Sequence, residues 1–206
     1  MITIGIIVLT SLISVLAFSN DTLFGKLLLS PYMVAHRRQA YRLLSHGLVH
    51  ADWMHLLVNM FVLLSFGRAV EQYFSMLFGI RGLYYFLLLY TAGLLFGALP
   101  SFIRHKDNVY YQSVGASGAI AGVLFASILI QPLAAIRFVF IPVDIPAFIF
   151  GVLYLVYSAW MSKKGNDNIG HDAHFWGAVA GFVFTLLLKP SLILSFFNNI
   201  AGYFSF

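Results

Sequence analysis

The sequence contains no cysteine, and only 9% of its 206 residues are charged. The first absence excludes disulfides, thiolate nucleophiles and Cys-ligated metal centres. The second excludes an ordinary water-soluble fold, in which about 25% of residues carry charge. Acid is scarcest of all. Glu71 is the only glutamate, so no His-Glu-x-x-His zinc motif can be assembled. The formal charge is +5, but no basic cluster is interleaved with aromatics, which argues against a nucleic-acid partner. Scattered Lys and Arg in such a chain report loop topology and contact with anionic lipid headgroups. Strict alternation of polarity is also missing, and with it the signature of a membrane β-barrel. The first apolar run, Ile2 to Phe18, has no basic segment before it and no small-x-small cleavage site after it, so it reads as a retained span.

What fills the chain is hydrophobic, at 61% of residues, in long runs that suit helices crossing a bilayer. Six segments can be marked: about Ile4–Phe18, Met54–Val70, Leu83–Ile103, Ser117–Ile130, Pro146–Met161 and His174–Leu188. The expected fold is an all-α membrane protein, a six-transmembrane-helix bundle forming one domain over residues 1–206. The link over 19–50 contains His36-Arg37-Arg38 and Arg42, yet is apolar enough to lie partly in the membrane interface. Residues 104–114 and 131–145 read as shorter loops, and 162–173 as the most loop-like stretch. The apolar, aromatic tail after Pro190 has no assigned place.

Polar groups inside spans are costly and call for a reason. They gather at three points: His46, His50, His55 and Asn59 around the start of the second span, Gly115-Ala116-Ser117-Gly118 at the start of the fourth, and His171-Asp172-Ala173-His174 at the start of the sixth. Spans two, four and six run in the same direction, so these three groups meet at one depth on one side of the membrane. Taken alone, Ser117 reads more readily as a small residue at a helix contact, or as a helix cap, than as a nucleophile. Gly118 and Gly122 form one small-xxx-small face, and Gly177 and Gly181 another. If those faces pack, His174 comes near Ser117 and supplies the base a hydroxyl needs. Asp172 precedes His174 by two residues and points to another helical face, so a dyad is preferred to a triad. His55 and Asn59 share one face, and with the Ser117 backbone N–H they could hold an oxyanion. They could equally be a structural pair between helices. Paired histidines holding a metal or haem are the rival reading, which leaves Gly-Ala-Ser-Gly unexplained.

These motifs resemble those of the rhomboid intramembrane proteases. Gly115-Ala116-Ser117-Gly118 is similar to the family's Gly-x-Ser-Gly. His46, His50, His55 and Asn59 resemble its His-rich approach to the second helix. Ala173-His174 with Gly177 and Gly181 resembles its sixth helix, and Tyr41-Arg42 stands where the family often has Trp-Arg. The resemblance covers roughly residues 36–188. It implies a bacterial-type, six-span serine endopeptidase without cofactor or metal. Ser117 would be the nucleophile and His174 the general base. His55 and Asn59 would stabilise the oxyanion, with His46, His50, Gly115 and Gly118 in supporting places. Substrates would be membrane proteins cut in or beside a transmembrane segment, and the fifth span and the loop before His174 would gate their access. The departures are Tyr41 for the commoner Trp, and Ala121 where many members place an aromatic beneath the His ring. A proteolytically silent rhomboid fold that binds transmembrane clients, and a small transporter or haem-binding bundle, are the alternatives. The resemblance implies an inner-membrane protein with its active face outward and both termini in the cytoplasm. The charge count opposes this at eight cations against four, and becomes neutral at four against four once the long first loop is set aside.

Overall fold

The computed structural model describes residues 1–138, 141–165 and 170–205. Its elements in chain order are α1 (Ile2–Phe18), α2 (Asp21–Leu27), α3 (Pro31–Arg37), α4 (Arg42–Ser45), a 3-10 turn (His46–Leu48), α5 (Trp53–Phe78), α6 (Arg81–His105), α7 (Ser117–Ile130), β1 (Ala135–Phe138), β2 (Ile141–Pro146), α8 (Ala147–Lys164), α9 (His171–Leu188) and α10 (Leu192–Tyr203). Among the described residues, α5 and α6 are each long and apolar enough to cross a membrane. A third candidate is α9 taken with α10, bent by 112° at the break between them. The apolar helices α1 and α7 are shorter.

The bundle is packed through small residues. Helix α1 buries Thr3, Thr10, Ser14 and Ala17, and turns Val8, Leu12 and Leu16 outward. A water-soluble helix would do the reverse. In lipid the outside is as apolar as the inside, and small or hydroxylated side chains are what let helices approach. The start of α1 is tied to α5 by Glu71, whose carboxylate accepts from the Ile2 N–H at 2.6 Å, the Thr3 N–H at 2.9 Å and the Thr3 hydroxyl at 2.6 Å. It thus satisfies donors that a helix N-terminus leaves open.

Closer still is the contact among α6, α7 and α9. A Cβ added to Gly177 or Gly181 would overlap the carbonyls of Gly118 and Gly122 respectively. The two glycine faces therefore meet backbone to backbone. Helix α6 joins them through Gly93 and Gly97, four residues apart. A Cβ at Gly93 would lie 2.7 Å from the Ala119 Cα, and one at Gly97 3.1 Å from the Ala173 carbonyl oxygen. These glycines set the spacing of the central three helices.

One element departs from the sequence reading, and two stretches that the sequence left open take a definite form. The fold is mostly helical rather than all-α, because the strands β1 (Ala135–Phe138) and β2 (Ile141–Pro146) pair as an antiparallel hairpin with Ala135 opposite Pro146 and Arg137 opposite Asp144. Prolines at 142 and 146 bar a helix there, and alternating Ile, Phe and Val suit a strand. The long first link is itself folded into α2, α3, α4 and the 3-10 turn. The tail after Pro190 is a helix. Segment ends also move outward: α5 runs eight residues past the expected Val70, from Glu71 to Phe78, a mixed stretch whose hydropathy hides its helicity. Of the loop expected at 162–173, residues 162–164 complete α8 and 171–173 open α9, while 166–169 lie outside the described residues.

Candidate active site

The chain arrives at Ser117 along a path pinned on both sides. Leu29 and Ser113 exchange backbone hydrogen bonds at 2.9 and 3.0 Å, and the Gly115 N–H donates to the His46 carbonyl at 2.9 Å. Gly115 has φ +108°, a conformation that favours glycine. There is also no room for a side chain, since a Cβ would sit 2.7 Å from His55 Cε1 and 2.8 Å from Nε2. The His55 ring thus rests on the Gly115 backbone, two residues before Ser117. Ala116 takes the cap position and Ser117 is the first helical residue of α7. Its backbone N–H is therefore among those that a helix start leaves without an intrahelical acceptor.

His50 supports this turn from behind. It is fully buried, with Nδ1 3.0 Å from the Ser14 hydroxyl and Nε2 facing the Ala116 N–H across a long 3.5 Å. The Ser14 hydroxyl gives its one proton to the Leu48 carbonyl at 2.9 Å. Ser14 must then accept from Nδ1–H, which leaves the Nε2 lone pair for Ala116. Neutral His50 is the form that fits, and burial, with His55 nearby, pushes its pKa down to about 3. His46 is buried as well, and burial lowers its pKa. Its Nδ1 donates to the Arg42 carbonyl at 3.0 Å. Arg42 staples the first link together: Nη1 donates to the carbonyls of Gly25 and Leu28 at 2.8 and 2.7 Å, and Nε to Gln39 Oε1 at 2.6 Å. Tyr41 beside it is half exposed.

Helix α5 is started by Asp52, whose Oδ1 accepts the His55 N–H at 2.8 Å. One turn later Asn59 is buried and donates one amide N–H to the His55 carbonyl at 2.8 Å. An Asn side-chain amide has two such hydrogens, so a second remains for another acceptor. The His55 and His50 rings stand edge to face at 4.9 Å.

On the α9 side, the Ala173 carbonyl oxygen lies within 3.3 Å of a Cβ built on Gly118. The first turns of α7 and α9 therefore adjoin, and Ser117 and His174 lie in those turns. The His174 ring lies nearly parallel to that of Tyr154 on α8, with centroids 6.2 Å apart and planes at 29°. Tyr154 in turn packs against Phe125 of α7 at 5.6 Å and Phe150 of α8 at 5.9 Å. The aromatic beside His174 thus comes from α8, while Ala121 on α7 carries none. Asp172 faces elsewhere. One carboxylate oxygen accepts from Arg104 of α6 at 2.5 Å, the other from the Ser162 hydroxyl of α8, which clamps three helices beside the site.

Several contributors were not singled out from sequence. Ser14 and Tyr154 belong to elements other than those they support, whereas Asp52 caps its own helix α5 three residues before His55. Gly93 and Gly97 did carry a signal, the same four-residue spacing that marked the other two glycine pairs.

A helical bundle girdled by exposed Leu, Phe, Val and Trp side chains, with polar residues gathered at one end of its glycine-packed centre, defines an integral membrane protein. The comparisons name its family. The Rhomboid domain family matches residues 37–191, and the chain belongs to it. Similar proteins include RHOMBOID-like protein 12, mitochondrial, of Arabidopsis thaliana, 26% identical over 158 residues, covering 69% of this chain and 45% of that one. YdcA of Bacillus subtilis (strain 168), described as a candidate rhomboid protease, is 31% identical over 147 residues, covering 71% and 66%. RHOMBOID-like protein 5 of Arabidopsis thaliana is 30% identical over 154 residues, covering 74% and 46%. The chain thus spans less than two thirds of the length of these curated relatives.

Proposed function

We propose that this rhomboid protein is an intramembrane serine endopeptidase, a single domain of six spans that cuts membrane proteins in or beside a transmembrane segment. The spans are α1, α5, α6, α7, α8 and α9. In this reading the Ser117 hydroxyl attacks a substrate carbonyl while His174 takes its proton. The resulting oxyanion is held by the Ser117 backbone N–H, His55 and the remaining Asn59 amide hydrogen. His174 then returns the proton to the leaving amine, and water hydrolyses the acyl-enzyme by the same steps. No cofactor takes part. The observation that carries the reading is the glycine contact of α7 with α9, which sets Ser117 and His174 in adjoining first turns. His55 lies against Gly115 on the other flank.

The test is incubation of the reconstituted protein with a model transmembrane substrate, beside Ser117→Ala. Cleavage by the parent chain and none by the variant is expected. A fluorophosphonate should label Ser117 in the parent and leave His174→Ala unlabelled. Labelling that persists without His174 rules out the dyad. A folded parent chain that neither cleaves nor labels would instead make this a rhomboid fold that binds transmembrane clients without cutting them.

A further inference from the structure

Helix α10 follows α9 after a turn at Lys189 to Ser191 and departs from it at 112°. Where α9 stands along the bundle axis, α10 therefore runs nearly across it. Its sequence divides into three faces at 100° per residue. Leu192, Phe196 and Ile200 turn toward the protein, with Leu192 buried and the other two partly so. Phe196 meets Phe182 of α9 at 5.9 Å. At the far end, Tyr203 and Phe204 pack against Phe148 at the start of α8, at 5.8 and 6.1 Å. These ring contacts at both ends fix the rotation of the helix. The second face, Leu194, Phe197 and Ala201, is apolar and bare: Leu194 is 68% exposed and Phe197 60%. The third face is Ser195, Asn198, Asn199 and Gly202, polar and exposed.

A helix with one face on protein, one apolar face uncovered and one polar face fits the boundary where bundle, hydrocarbon and water meet. The neighbouring helices likewise turn large apolar side chains outward, with Leu187 on the last turn of α9 75% exposed and Val152 near the start of α8 60% exposed. Helix α10 carries no charged residue, so attraction to anionic headgroups is not what would hold it.

We infer that α10 is a membrane-surface helix lying in the plane of the bilayer, with Leu194 and Phe197 in the acyl boundary and Ser195 and Asn198 in the aqueous headgroup zone. The partner of its bare face is the lipid around the bundle itself. The inference rests on membrane residence alone and stands apart from the protease reading.

The chain has no cysteine of its own, so single cysteines at Leu194, Ser195, Phe197 and Asn198 can each carry a nitroxide in the full chain in phosphatidylcholine nanodiscs. A label at Leu187 serves as the in-bilayer reference. All five positions are exposed, and gel filtration with circular dichroism checks each variant. Collision with oxygen should exceed collision with an aqueous nickel chelate at 194 and 197, with the order reversed at 195 and 198. Nickel-dominated collision at all four α10 positions would place the helix in water and overturn the inference. Oxygen-dominated collision at all four would make it a re-entrant segment, and would also overturn it. Low access to both reagents at 194 and 197 with spin–spin broadening would show a second copy on that face, which is the third way it fails.

Discussion

At the residue scale, the site depends on groups that hold backbone as much as on groups that would react. His50 is the clearest case. Its neutral ring bridges Ser14 of α1 and the Ala116 N–H, so protonation would remove the Nε2 acceptor. Its pKa falls from 6.5 to about 3 on folding. Below pH 6.5 the unfolded chain takes up a proton that the folded chain refuses, so stability is full above that value and declines as pH drops toward the folded pKa. The slope from this one group is about 1.4 kcal/mol per pH unit. Unfolding by dodecyl sulfate in micelles, measured from about pH 7 to pH 4, should show this decline. His50→Gln should be less stable at neutral pH but shallower in acid. Parallel curves for the two proteins would remove His50 as the cause. Turnover is the separate test of the proposed oxyanion donors. Loss of either His55 or Asn59 to Ala is expected to lower turnover on the order of 10²-fold, with less loss where the donors are redundant. Intact turnover in both folded variants would end that assignment.

At the element scale, the central helices touch through main chain, so their spacing has no slack. Gly181→Ala would push a methyl group into the Gly122 carbonyl, and neither side has a flexible end that could yield. The expected cost is roughly 1–3 kcal/mol of stability, as for other overpacked contacts, read as a lower midpoint in detergent unfolding. Gly202→Ala is the control. It lies in the last turn of α10, nothing stands within 4 Å of its added Cβ, and Ala is a better helix former than Gly, so little or no loss of stability is expected. Equal behaviour of the two variants would mean that α7 and α9 are not in backbone contact. Two pairs of these glycines were readable from their spacing, and the Gly93/Gly97 pair obeys the same rule. Helix α1 follows a related rule, small and hydroxylated residues inward and large apolar residues outward, so its outward side is its most hydrophobic one.

At the scale of the whole molecule, the elements sort to two ends. The approach to α5, the start of α7 and the start of α9 share one end. The hairpin, α10 and the Glu71 clamp on the start of α1 share the other. With the first end outward, Lys163 faces the exterior, and Arg137, in the hairpin where it is bonded to Asp144 at 2.7 Å, faces the cytoplasm. Single cysteines at those two positions, treated on intact cells with a membrane-impermeant thiol reagent, should give labelling at 163 and protection at 137. The opposite pattern would turn the Ser117 end inward without altering the chemistry proposed for it.

Composition alone determined that the chain lives in a membrane, because so few charges cannot clothe a soluble surface. Apolar runs placed the main helices, and parity over the six expected spans pointed Ser117, His174, His55 and Asn59 toward one end, because direction along a span follows from counting. Glycine spacing forecast the α7–α9 contact, since small residues four apart share a face whatever the tertiary context. Partners across helices were a different matter. Ser14 with His50 spans 36 residues, His50 with Ala116 66, and Arg104 with Asp172 68. No local period encodes such pairings. Tyr154 beside His174 was invisible for the same reason, an aromatic among many on a helix whose rotation only packing against α7 and α9 fixes. The hairpin and the 112° turn into α10 were likewise left to tertiary structure, because an apolar run states that a segment avoids water and leaves open the direction in which it runs.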